Sequence, residues 1–167
     1  PLQAALGYDI SQTLFVSTKN LIVEGITDFW IIRSVSDYLE SINRTCLHDD
    51  VTVTPAGGAR KIHYMAALLS SENLSVIALL DYEKGAYKTK DDLLNQKLVP
   101  EENVMFLDEA FGSEVPKEAD IEDLLEVDTY EWLISKAYEN ELGDAKPYLN
   151  DNIPRLARRY ETAFQKA

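Results

Sequence analysis

Three groups of carboxylates stand out by where they fall along the chain. Glu24 follows the apolar run NLIV (20–23), and Asp28 comes four residues later, across Gly25. Asp81 and Glu83 flank Tyr82 directly after the apolar run SVIALL (75–80). Glu122 and Asp123 lie between apolar neighbours in IEDLL (121–125). In extended backbone, residues two apart project to the same side. Asp81 and Glu83 then form a close pair of like charges that a cation or a shared proton must relieve. Hard carboxylate oxygens suit Mg²⁺ or Mn²⁺, and converging carboxylates hold divalent ions for phosphoryl chemistry. Each group also has an ordinary structural use. Acids near a helix N-terminus cap amides and favour the helix dipole. That would account for Glu24 and Asp28, and more readily for Glu122 and Asp123. A solvent-exposed acidic turn would account for Asp81 and Glu83.

The elements that must position these acids alternate between strand and helix. Asn20 to Val23 reads as a first strand, stopped by Glu24-Gly25. Thr27 can cap a helix reaching about Asn43, with Ile31, Val35, Tyr38 and Ile42 recurring on one face. A second strand over 51–54 is closed by the turn PAGG (55–58). A helix follows over roughly 59–70, with Ile62, Met65, Ala66 and Leu69 inward. Ser75 to Leu80 is apolar on both faces, as a central parallel strand should be. A charged helix over 88–97 leads to a fourth strand over 103–107. Beyond it, 111–119 reads as loop, 121–125 as a short apolar-acidic segment, and 126–141 and 153–166 as amphipathic helices separated by Gly143 and Pro147. This order predicts an α/β fold, a parallel sheet flanked by helices with right-handed crossovers. Ligand sites in such sheets lie at the carboxyl ends of the strands. The strand ends at Glu24, at PAGG and at Asp81 should therefore open onto one edge.

Composition sets the outer limits. The 167 residues suit one domain, or a domain with an appendage. Sixteen basic against 29 acidic residues give a formal net charge of −13, which argues against a simple basic nucleic-acid binder. The single cysteine, Cys46, excludes an internal disulfide and disfavours a cysteine-built zinc site, with a reducing, cytoplasmic setting as the default. His48 and His63 are too few for a His-rich metal site. No apolar run approaches a membrane span, and the opening residues lack the pattern of a signal peptide. The chain begins with Pro1, as an excised piece of a longer protein would.

LIVEGITD, the Gly-rich TPAGG after the second strand, and ALLDYEKG after the third together resemble a TOPRIM domain, the Rossmann-like fold shared by topoisomerases, primases and certain nucleases. Its signature is a Glu ending the first strand and Asp-x-Asp ending the third. Here the second motif reads Asp81-Tyr82-Glu83, which keeps the charge and lengthens the arm. The resemblance covers roughly residues 20–110. Asp28 and the IEDLL segment narrow it, because both resemble the overcoming-lysogenisation-defect (OLD) family nucleases. On that likeness, 1–19 is a linker or edge segment from a preceding domain, 20–110 the TOPRIM core, and 111–167 the acidic segment with a C-terminal helical extension. The resemblance implies metal-dependent cleavage of DNA by two divalent cations, Mg²⁺ or Mn²⁺, behind an N-terminal ABC-type ATPase domain, and it leaves a homodimer open. Glu24 and Asp28 would serve one metal, with Glu24 sharing in proton transfer. Asp81 and Glu83 would serve or bridge to the second, and Glu122 and Asp123 would complete the cage. Lys146 is the candidate for a basic residue beside the scissile phosphate, ahead of Lys136 or Lys117. A primase-like nucleotidyl transferase and a non-catalytic Mg²⁺-binding regulatory module are the alternative readings. DNA affinity should be weak and metal-dependent, since each dication offsets only two negative charges.

The remaining residues have plain readings. Trp30 and Trp132 sit in helical patterns as core or interface anchors. Gly57-Gly58 is either a phosphate cradle or a simple turn. Arg155, Arg158 and Arg159 lie together in the last helix, by default on a solvated face, with contact to DNA or to a preceding domain as the alternative.

Overall fold

Four short runs pair as strands: β1 (Lys19–Val23), β2 (Val51–Pro55), β3 (Ser75–Leu80) and β4 (Val104–Phe106). They form one parallel sheet in the order β2-β1-β3-β4. The computed structural model describes residues 17–167 other than 73, 113 and 140. Most of the linker expected over 1–19 lies outside the described residues. The described residues divide into two compact units, one of 17–80 with 85–106 and one of 81–84 with 107–167.

In the first unit, helices α1 (Ile26–Ser41), α2 (Ile62–Ser71) and α3 (Ala86–Asn95) connect successive strands. Helix α2 packs on β1 and β3 and against α3, whereas α1 packs on β1 and β2. Strand side chains alternate between faces. Ile22, Ala78 and Leu80 point into a core closed by Ile62, Ala66 and Leu69 of α2 and Leu93 of α3, each no more than 1% exposed. On the other face α1 shields the β1–β2 half, where Val23 and Val53 are buried, and Ile77 and Met105 of β3 and β4 remain partly exposed.

Several local expectations change. The N-cap of α1 is Gly25, two residues before Thr27. The stripe of Val35, Tyr38 and Ile42 faces solvent, and the single buried residue of α1 is Ser36. Ser36 is accommodated because its Oγ accepts the Leu47 N–H at 2.9 Å. A buried hydroxyl with a partner costs little. The inward stripe is therefore Phe29, Ile32, Ser36 and Leu39. Trp30 and Trp132 are 61% and 58% exposed, which removes them from the core.

The second unit is built from helices α4 (Val127–Ala137), α5 (Leu142–Ala145) and α6 (Leu156–Phe164), with a 3-10 turn at Ile121–Leu124. The one-turn helix α5 falls within the stretch read as a break between two amphipathic helices. Tyr130 on α4 and Tyr160 on α6 meet edge to face at 5.4 Å. Helix α6 is strongly two-faced, burying Leu156, Tyr160 and Ala163. Among the described residues, no helix is long and apolar enough to cross a membrane.

Candidate functional site

The strand order fixes where a ligand crevice can form. From β1 the chain steps outward to β2, then returns past β1 to β3. Connections thus diverge between β1 and β3, and open α/β sheets bind ligands at such a switch point, outside the carboxyl ends of the strands. Ile22 of β1 is level with Ala78 of β3, so the two strands run out at the same edge. The next residue after β1 is Glu24, and the next after β3 is Asp81.

Glu24 is set by its backbone. Its carbonyl accepts the Gly58 N–H at 2.7 Å, and the Val23 carbonyl accepts the Ala56 N–H at 2.9 Å. Gly57 and Gly58 have φ of 78° and 121°, a region in which a Cβ is costly, so both glycines are demanded by the turn. With the Gly58 amide already engaged, the Gly-Gly pair acts as the turn that pins Glu24. Asp28 sits at the third position of α1 and accepts the Gly25 N–H on Oδ2 at 2.6 Å, half of a capping box. Burial raises the Asp28 pKa, against the lowering effect of hydrogen bonds from the backbone at Gly25 and Glu24.

In the second unit, Tyr82 pairs both ways with Ala119: its N–H donates to the Ala119 carbonyl at 2.9 Å and its carbonyl accepts the Ala119 N–H at 2.8 Å. This bridge lays the acidic segment 81–83 beside the segment that leads into Asp120. There Arg155, at the N-cap of α6, reaches both. Its Nη1 is 3.1 Å from Glu83 Oε2 and 2.8 Å from Asp120 Oδ1. Burial works against the Arg155 charge, but the fields of Asp120, Glu83, Asp81 and Glu118 outweigh it and raise its pKa. Asp123 is a double cap: Oδ2 accepts the Asp120 N–H and Oδ1 the Leu156 N–H, each at 2.8 Å. Burial first, then the fields of Glu122, Tyr160, Asp123 and Asp120, push the Tyr130 hydroxyl up to about 12. Lys146 lies on a short 3-10 turn, half exposed, with Nζ 2.8 Å from Glu131 Oε1.

The structure therefore joins Glu83, Asp120 and Arg155 directly and gives Asp28 and Asp123 backbone-capping work. Among the described residues, neither unit by itself gathers three or more His, Cys, Asp or Glu around a point that could hold a metal ion. Asp120 has no place in the sequence reading, and Arg155, expected by default on a solvated face, is instead only 15% exposed. The capping position of Asp120, three residues before Asp123, was the available signal for the first. Nothing local marks Arg155, whose partners lie 72 and 35 residues upstream. The donor chemistry fits a hard divalent cation, since every candidate ligand is a carboxylate. His48 is held by Asp50, and His63 lies against Tyr64.

Residues 15–82 match the family model described as overcoming lysogenization defect protein-like, TOPRIM domain. The match takes in Glu24, Asp28 and Asp81 and ends at Tyr82, so Glu83, Glu122, Asp123, Lys146 and Arg155 lie beyond it. Searches of curated proteins and of solved structures give no match to this chain. TOPRIM domains are metal-dependent modules of nucleic-acid enzymes, which sets the broad class of activity and the broad class of partner. The four-stranded parallel sheet, with its switch point between β1 and β3, and the family match agree: residues 15–82 are those of an OLD-like TOPRIM fold as the family model describes it.

Proposed function

We propose that the chain is the cleavage module of a metal-dependent DNA endonuclease that hydrolyses phosphodiester bonds. The reading is supported chiefly by one feature of the first unit: a parallel sheet whose switch-point strands run directly into Glu24 and Asp81. Glu24 and Asp28 would serve one divalent cation and Asp81 and Glu83 the other, with Glu122 and Asp123 completing the acidic set. Bound divalent cations supply an activated water and neutralise charge on the leaving 3′ oxygen. The chain's own residues do the rest. The PAGG turn holds Glu24 through its carbonyl, and the Glu24 carboxylate would bind a cation and accept a proton. Asp28 keeps the first turn of α1 in place while offering its second oxygen. Asp123 has both oxygens committed to amides, so its main contribution is to hold Asp120 and the start of α6. Lys146 would meet the scissile phosphate only after parting from Glu131. An N-terminal ABC-type ATPase domain, a homodimer and a cytoplasmic setting belong to the same proposal.

The test is plasmid cleavage. Supercoiled DNA incubated with the protein should be nicked in Mg²⁺ or Mn²⁺ and left intact in EDTA. Glu24→Ala and Asp81→Ala should each abolish nicking while the protein stays folded. Intact plasmid in every metal, or nicking that survives both substitutions, would remove the nuclease reading.

A further inference from the structure

Arg155 is a cation in an unusual place. It caps the N-terminus of α6, where the partial positive charge of the helix repels a guanidinium. Its side chain is 15% exposed, and its Nε is buried with no hydrogen-bond partner among the described residues. It is retained there by acids: Nη1 lies 3.1 Å from Glu83 and 2.8 Å from Asp120, and Asp81 and Glu118 add to the field. Asp120 is 14% exposed and Glu83 34%, so the Asp120 contact is the drier and the Glu83 contact the wetter. Acids crowded this way repel one another unless a positive charge lies between them.

We propose that Arg155 is a resident counter-cation that occupies Glu83 until a divalent metal displaces it. The inference rests on the reading of Glu83 as a metal ligand. A compact dication outcompetes a diffuse guanidinium for a carboxylate, yet it must first break the 3.1 Å contact and then tolerate the displaced charge nearby. Arg155 withdraws onto Asp120, the shorter and more buried of its two contacts. The acidic segment is thereby kept ordered without metal, at the expense of metal affinity. A plain structural clip would behave in the opposite way, because its loss would loosen the ligands and weaken metal binding.

Calorimetric titration of the whole chain with Mn²⁺ separates the two. Arg155→Gln removes the competing charge and should lower the Mn²⁺ dissociation constant about tenfold, as expected for deleting a unit charge a few ångströms from the ion in a partly screened site. Arg155→Lys keeps the charge and should bind within about twofold of the parent, a small fraction of that Coulomb effect. Equal or weaker binding by Arg155→Gln, or equally tightened binding by Arg155→Lys, overturns the inference while leaving the metal centre standing. Mn²⁺ bound by none of the three proteins overturns both. Should Arg155→Gln fail to fold, the parent answers alone: its Arg155 guanidinium ¹⁵N resonances should shift during Mg²⁺ titration with the midpoint of binding. Resonances that stay fixed while Mg²⁺ binds would overturn the displacement.

Discussion

Asp123→Ala removes a carboxylate that does two jobs at once. Its oxygens accept the backbone N–H groups of Asp120 and Leu156, each at 2.8 Å, so the substitution orphans the amide at the start of the 121–124 turn and the first amide of α6. A hydrogen bond to a charged group contributes about 1.5–3 kcal/mol, and loss of a cap alone costs roughly 1 kcal/mol. Asp123 is only partly buried and water can replace part of what is lost, so the lower end applies: about 2 kcal/mol of local stability in the second unit. Amide hydrogen exchange reads this locally. If Leu156 exchanges by local opening, its protection should fall about 30-fold, because 1.4 kcal/mol is about a factor of ten. Asp123→Asn keeps one acceptor oxygen and should fall between Ala and the parent. Leu156 protection unchanged within about threefold, together with loss of Mn²⁺ binding, would refute the assignment and make Asp123 a ligand instead of a scaffold.

Three further outcomes are expected. Burial raises the folded-state pKa of Asp28 above its ordinary 3.8, so protonated Asp28 favours folding, and that contribution is lost as pH rises through the raised value. In EDTA, Asp28→Asn should therefore melt higher than the parent at neutral pH and equal to it well below pH 3.8; a lower melting temperature at neutral pH would show that the bond to Gly25 outweighs burial. Gly58→Ala should cost at least about 1 kcal/mol in urea unfolding from backbone strain alone, since φ is 121° and nothing lies within 4 Å of the added Cβ, and an unchanged midpoint would contradict it. Leu80→Ala, at a fully buried position at the end of β3, should cost about 2–5 kcal/mol in the same assay, and a loss near zero would place Leu80 outside the core.

The parallel sheet was legible because its strongest signals are local. Ser75 to Leu80 is a continuous apolar run after Ser75 that stops at Asp81, and β3 has those bounds. The core stripe of α2 was equally legible: Ile62, Ala66 and Leu69 are buried as their spacing predicts, with Tyr64 and Leu68 on the exposed side. Helix α1 misled because apolar residues occupy two stripes and Ser36 interrupts the true inner one. Only the Leu47 amide, eleven residues away, makes a serine acceptable there. The acids were found by type and by strand-end position, but their partners were not. Arg155 was assigned to a solvated face because helical periodicity carries no information about Glu83 and Asp120. The resemblance points to Lys146 as the basic residue, and sequence alone does not show that its contact is Glu131.

The central claim is that the acids leaving β1 and β3 hold a divalent metal. Crystals of the protein grown with Mn²⁺ and measured at the manganese edge test it most directly. The expected result is anomalous density within coordination distance, roughly 2.0–2.3 Å, of the Glu24 carboxylate and likewise of the Asp81 carboxylate, the latter lost on Asp81→Ala. A manganese site elsewhere, or none at these two residues with Mn²⁺ in excess, would contradict it.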